Sequence, residues 1–406
     1  MSLRKFLAAL CCVAAVSVAY MVSCRNASHV TTSVITELSA PLDSIFGTLF
    51  PDSKAPGAVV MVRRGDSIYY NRAFGMARLD SNLAMTDSTL LNVASASKTF
   101  TAIGLLRLAA QGRLSLDDPM SNFFPDFNPD VFGKIKLRHI LSHTTGLGDG
   151  RPRTDDQWDI FLRKHRSAFA KAPDFVRYGR EQEQISIYRS LDSLNYEPGS
   201  KFVYADAPYK LLATIIEQVT DTAFEKWMQA NIIRPAGLRE TRYVSATLTH
   251  PRMAHAYRPA KDAAKPGVFR SPDGRWDEFD YGEAEFFLCR ADNGVYTTPR
   301  EFALWVKRLQ NGEIVPEMTV RDLNTTIIST GIPGVGYAMG IFTQTRDAKP
   351  YKVFHSSQNG GFGVYEAYYP EHDVFYLILA NRNDWNRMAV SERVDSVLAS
   401  KHWFDR

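Results

Sequence analysis

The sequence predicts an α+β protein of the α/β-sandwich type. An antiparallel sheet is flanked by helices and formed from both ends of the chain, with a mostly helical region inserted between them. Three observations predict this. Runs rich in β-branched and aromatic residues occur near residues 57–70 and return only after residue 350. Residues 113–250 instead alternate Pro- and Asp-rich loops with helical patterns. With 406 residues and 45% hydrophobic content, the chain can also bury a large core without disulfide staples. Strands at both ends with helices between imply one sheet completed by distant segments.

The chain opens on a secretion signal, residues 1–23. Arg4 and Lys5 precede an uncharged apolar stretch from Phe6 to Val22. That stretch ends at Met21-Val22-Ser23-Cys24, which resembles the lipobox of bacterial lipoproteins although Met21 is unusual there. The reading makes Cys24 a lipidated N-terminus and the protein an exported, membrane-anchored lipoprotein of the cell envelope. A plain cleaved signal or an uncleaved anchor helix are the alternatives. The stretch is at the short limit for a spanning helix, which needs about 17–25 residues. Residues 24–31 form a polar tether, and residues 32–406 form the folded domain.

From Thr32 to Phe50 the apolar residues Val34, Ile35, Leu38, Leu42, Ile45, Phe46 and Leu49 recur at helical spacing. Gly57 to Val62 and Ser67 to Tyr70 read as strands joined by an Arg64-Gly65-Asp66 turn. A helix follows Ser95 and closes near Gly112. Lys210 to Val219 and Ala223 to Ile233 carry helical patterns. Strands return at Tyr351 to His355, Val364 to Tyr369 and Phe375 to Ala380, and a closing helix spans Trp385 to Trp403.

Charge and cysteines exclude several classes. Net charge is +4, and removing a leader with Arg4 and Lys5 leaves 46 basic against 44 acidic residues. So even a balance argues against nucleic acid as a partner. Of four cysteines, Cys11 and Cys12 lie in the leader and Cys24 at its end, leaving Cys289. No disulfide framework or cysteine metal pair remains. Phe286-Phe287-Leu288-Cys289 is an apolar context that suits a buried, inert thiol.

The chemistry concentrates in Ser95-Ala96-Ser97-Lys98. A hydroxyl and an amine three residues apart on a helix share one face, and the amine can activate the hydroxyl as a nucleophile. Alone the tetrad says little. Roughly one or two S-x-x-K matches arise by accident at this length, and Ser2 to Lys5 is another. An ordinary helix start, with Ser95 or Ser97 as cap and Lys98 solvated, fits equally well. His139 and His143 stand four apart, but no H-E-x-x-H pattern or third ligand accompanies them, so they read as structural and no metal is expected. Arg151, Arg153, Arg163, Lys164, Arg166, Lys171, Arg177 and Arg180 form either an anionic-substrate rim or a solvated face paired with Asp155, Asp156 and Asp159.

Other segments fall in a meaningful order. Pro56-Gly57-Ala58-Val59-Val60-Met61-Val62, Leu141-Ser142-His143-Thr144-Thr145-Gly146-Leu147, Arg234-Pro235-Ala236-Gly237-Leu238-Arg239-Glu240-Thr241 and Gly294-Val295-Tyr296-Thr297-Thr298-Pro299-Arg300-Glu301 run along the chain with the tetrad. Together they resemble the serine β-lactamase-like family of class C β-lactamases, DD-peptidases, esterases and D-amino-acid peptidases. The last three resemble its "LSHTSGL", "PLGMxxT" and "GGLYSTARD" segments. The resemblance covers nearly the whole mature chain and implies a β-lactamase/transpeptidase-like fold.

By that resemblance Ser95 is the nucleophile and Lys98 its partner. The family's Y-x-N falls on Tyr204-Ala205-Asp206, with Tyr204 a general acid/base. Asp206 departs from the pattern by losing an amide donor and gaining charge. The Lys/His-x-Gly strand motif falls on His355-Ser356-Ser357. His355 suits the branches other than β-lactamases, and Ser357 replaces the glycine. The backbone N–H groups of Ser95 and Gln358 are the implied oxyanion donors. The expected function is a serine hydrolase that cleaves an amide or ester of a small molecule or peptide through an acyl-enzyme, with no cofactor. It suits a peptidase or esterase better than an efficient β-lactamase. Asp206 and Ser357 keep open the other class, a non-catalytic binding lipoprotein that retains the fold.

Overall fold

The first strand of the chain lies beside one of its last. In this computed structural model, which describes residues 37–148, 184–185, 187–243, 250–260, 269–278, 290–347 and 349–405, α1 covers residues 37–49. Strands β1 (Ala58–Arg64) and β2 (Ser67–Phe74) follow, joined at Gly65 with φ +55°. Then come α2 (Ser97–Ala110), α3 (Asp206–Thr220) and α4 (Pro299–Gln310). The chain ends in β3 (Ile328–Ser329), β4 (Val335–Tyr337), β5 (Phe342–Arg346), β6 (Lys349–Asn359), β7 (Phe362–Tyr369), β8 (Val374–Ala380) and α5 (Arg387–Ser400). The predicted leader, Cys24, the tether, Cys289 and the basic stretch 151–180 lie outside the described residues.

Among the described residues, one eight-stranded sheet runs in the order β3-β4-β5-β6-β7-β8-β1-β2, with each neighbouring pair antiparallel. β1 lies against β8 along its whole length, from Ala58 opposite Ala380 to Arg64 opposite Val374. The sheet thus joins both chain ends, as the sequence predicts.

Alternation along β1 divides the molecule into layers. Val60 and Val62 face Leu42, Phe46, Val394 and Leu398, so α1 and α5 cover one side. Val59 and Met61 face Phe100, Leu105, Leu212 and Trp305, so α2, α3 and α4 cover the other. Every residue of β7 and β8 is buried, which is why these strands read as near-continuous apolar runs.

The structure departs from the sequence reading in three places. β3, β4 and β5 were not legible, being short or, as in Phe342-Thr343-Gln344-Thr345-Arg346, half polar. The region read as mostly helical also contains a strand: Arg242–Tyr243 pairs with Val295–Thr297, which in turn pairs with Leu91–Asn92. That small sheet ties the chain just before Ser95 to the segment after Asn293. Lastly, α3 begins at Asp206 rather than Lys210, so Asp206 lies in its first turn, where a carboxylate suits the helix dipole.

Candidate active site

From Thr89 to Leu106 every residue is buried except Ser95. Ser95 sits in a 3₁₀ turn, Ala94–Ala96, that leads into α2. The turn is strained, because Ala94 adopts φ +49°, a conformation that costs a non-glycine residue about 1–3 kcal/mol. The Asn92 side chain holds it: Asn92 Oδ1 accepts from the Ala94 N–H at 2.8 Å and from Asn359 Nδ2 at 3.3 Å. The structure also separates the two serines of the tetrad. Ser97 Oγ is buried and accepts from the Val295 N–H at 3.0 Å, whereas Ser95 is partly exposed.

One helical turn on, Lys98 is fully buried. Its Nζ donates to Ser95 Oγ at 3.2 Å and to the Asp292 carbonyl at 3.3 Å, and it lies 2.6 Å from Asp206 Oδ1. The rings of Tyr204 and Tyr209 flank it at 5.2 and 5.6 Å. Burial works against its charge. The negative charge of Asp206, 2.6 Å away, outweighs burial and holds the ammonium above the usual lysine range. Lys98 is therefore a donor and a positive charge, not the unprotonated amine that a simple lysine-base scheme requires.

Tyr204 precedes α3, and its ring stands beside Lys98 on the way to Ser95. Burial pushes the Tyr204 hydroxyl above its ordinary pKa; Lys98 pulls it back and Asp206 pushes it further up. The ring is clamped, with His143 at 4.1 Å between centroids and Phe342 stacked at 5.9 Å. His143 Nδ1 also accepts from the Ala205 N–H at 3.2 Å, and its carbonyl from the Val203 N–H at 3.0 Å. His143 is buried at φ +56°, and burial, helped by Lys98, depresses its imidazole to about 3. It is a neutral support beneath Tyr204. His139 faces elsewhere, with Nδ1 accepting from the Lys136 N–H.

On β6, Val353 joins one core and Phe354 the other, so His355 and Ser357 point to the α2 side. β6 packs against the 3₁₀ turn of Ser95. His355 Nδ1 lies 2.9 Å from Glu366 Oε1 directly across the ladder, and both residues are almost completely buried. His355 Nε2 and Ser357 Oγ have no hydrogen-bond partner among the described residues. The side chain of Gln358 accepts from Arg387 at 2.9 Å.

Sequence reasoning missed five residues of this constellation: Asn293, Asp292, Arg290, Asn92 and Glu366. Ser95 Oγ donates to Asn293 Oδ1 at 3.0 Å, and Asn293 Nδ2 donates to Asp292 Oδ2 at 2.8 Å. Arg290 pins this short helix to α3 through Glu217 at 2.7 Å. Asn92 and Glu366 complete the set. The signals were present but faint. Asp292-Asn293 directly precedes the Gly294 segment, and Glu366 is the lone charge in an otherwise apolar strand.

A family model described as Beta-lactamase matches residues 33–400. Among curated proteins, the chain is 25% identical to penicillin-binding protein 4* of Bacillus subtilis (strain 168), over 84% of this chain and 72% of that one. It is 23% identical to protein flp of Staphylococcus aureus (strain COL), over 84% of this chain and 63% of that longer protein. A penicillin-binding protein from Bacillus halodurans superposes with a TM-score of 0.69 at 21% identity, covering 88% of this chain and 98% of that one. The octameric penicillin-binding protein homologue from Pyrococcus abyssi gives 0.71 at 22% identity, over 88% and 77%. These two likenesses establish the fold.

Proposed function

Because the chain belongs to the beta-lactamase family, whose members are serine hydrolases, we propose that it cleaves an amide or ester through an acyl-enzyme on Ser95. One observation carries the reading. The single accessible residue of a buried segment is a serine with an ammonium 3.2 Å away, and the Tyr204 ring stands 5.2 Å from that ammonium.

In this scheme Tyr204 is the general acid/base. Lys98, fixed as a cation, lowers the cost of negative charge on Tyr204 and on Ser95 Oγ while the proton moves. Ser95 attacks the carbonyl carbon, Tyr204 relays the proton to the leaving group, and water later releases the acyl group. The backbone N–H groups of Ser95 and Gln358 receive the oxyanion.

The substrate is a small ester or peptide rather than a β-lactam. His355 brings Glu366 with it, 2.9 Å away, so this position offers a substrate carboxylate no net positive charge. The anchor at Cys24 and an envelope location belong to the same proposal and rest on the leader alone. Profiling the purified protein against esters, D-amino-acid peptides and β-lactams, with Ser95→Ala as blank, tests the function. A fluorophosphonate adduct mapped to Ser95 supports it. Binding without turnover of any of these substrates would favour the non-catalytic alternative.

A further inference from the structure

The orientation of Asn293 is dictated by its neighbour. A carboxylate only accepts, so the amide must turn Nδ2 toward Asp292 Oδ2, 2.8 Å away. Oδ1, which also only accepts, is left facing Ser95 Oγ at 3.0 Å and takes the single proton of that hydroxyl. Lys98 donates to the same oxygen from another side. In the free protein the Ser95 proton thus rests on Asn293 rather than pointing to Tyr204. Asn293 is held firmly: its carbonyl accepts from Asn92 Nδ2 at 2.9 Å, and Arg290 anchors its helix to α3. It also stands where the "GGLYSTARD" segment has its first glycine, which has no side chain to offer Ser95.

Acylation changes this arrangement. Ser95 gives up its proton when its oxygen becomes an ester, and Asn293 Oδ1 loses its donor while remaining buried and fixed. A buried acceptor without a donor is costly, so a donor must enter. Resting on the acyl-enzyme reading above, we propose that Asn293 Oδ1 then takes the water that ends the cycle, holding it beside the Ser95 ester. The water oxygen bonds to the acyl carbon and the carbon–Oγ bond breaks. The proton lost by the water ends on Ser95 Oγ, which restores the hydroxyl that Asn293 accepts from in the free protein. Asn293 is thus a catalytic residue of the second half-reaction and a resting partner in the first.

The test separates the two half-reactions with p-nitrophenyl acetate and the full-length mature protein. In Asn293→Gly and Asn293→Ala the burst of acylation should stay within about threefold of wild type, while deacylation slows about tenfold or more. kcat and KM then fall together, kcat/KM holds, and intact-mass spectra show acylated Ser95 accumulating. Hydroxylamine, which needs little help as a nucleophile, should release that acyl group at close to the wild-type rate. Unchanged deacylation, an equal loss in both steps, or no rescue by hydroxylamine would overturn the proposal and leave the acyl-enzyme reading standing. A wild-type protein that never acylates at Ser95 would overturn both. The two variants guard against a folding artefact, since alanine keeps the helix that glycine loosens.

Discussion

Lys98 Nζ lies closer to Asp206 Oδ1, at 2.6 Å, than to Ser95 Oγ, at 3.2 Å. The amine expected to activate the serine is therefore bound first to a carboxylate. That carboxylate stands where the family carries asparagine, and the pH response follows from it.

Asp206 raises both Lys98 and Tyr204, so whichever group accepts the proton reaches its active form only at higher pH. Hydrolysis should have an alkaline optimum. Asp206→Asn removes the charge that raises both groups, so the acidic limb of the pH–rate profile should move to lower pH. The substitution also leaves a buried ammonium short of its partner and should cost about 3 kcal/mol at neutral pH. Rate profiles and chemical denaturation check the two effects separately, and a limb that stays in place would remove Asp206 from the catalytic electrostatics.

His143 predicts a second pH effect, in stability. Its folded-state pKa, about 3, lies below the ordinary value of 6.5, so the unfolded chain binds this proton first as pH falls. Stability should drop between about pH 6.5 and 3, by an amount on the order of 4 kcal/mol. His143→Asn tolerates the left-handed backbone and keeps an acceptor for the Ala205 N–H. Denaturation midpoints of this variant should vary less across that window. A wild-type curve no steeper than the variant's would contradict the assignment.

Glu366→Gln should change substrate preference. Replacing the buried carboxyl group 2.9 Å from His355 with a neutral amide makes the site less hostile to an anionic substrate. KM for a carboxylate-bearing ester should fall several-fold relative to a neutral ester of the same alcohol. Equal changes for both esters would show that Glu366 acts only on packing.

The strain at Ala94 is testable by shape alone. Ala94→Val puts a β-branched side chain at φ +49° in a fully buried position and should destabilise the fold by about 2 kcal/mol or more. Because Ser95 is the next residue, fluorophosphonate labelling should slow as well. A variant with wild-type melting temperature and labelling rate would show that the turn is not constrained.

Cys24→Ala tests the leader. Under the proposed lipidation of Cys24, wild-type protein expressed in bacteria should partition into detergent and the variant into water. Equal partitioning of both into water would refute lipidation.

Much of this was legible from the chain because the strongest patterns belong to the parts that build the scaffold. β7 and β8 read as strands because both faces are buried, and α2 because an apolar run follows Ser95. Ser95, Lys98 and Tyr204 came from ordered segments, and the structure brings them together. The rest depended on contacts that sequence spacing cannot express. Asn293 meets Ser95 across 198 positions of chain, and Glu366 meets His355 only because the β6–β7 register puts them opposite. Asp206 was noticed as a departure, but its ion pair with Lys98 needed α3 to begin four residues earlier than its apolar pattern suggests. β3 to β5 stayed hidden because an edge hairpin carries too few buried residues to leave a period.

The register of β1 against β8 sets a timetable for folding. Arg64 and its partner Val374 are 310 residues apart, roughly 15–60 s of synthesis. Until β8 has been made, β1 and β2 are a two-stranded ribbon with both edges open, marginal alone and prone to pair with the wrong chain. A chain stopped before Val374 should therefore aggregate rather than fold in part, even though every residue of the Ser95 segment is already present. Under the export proposed from the leader, the central sheet closes only when almost the whole chain has emerged on the far side.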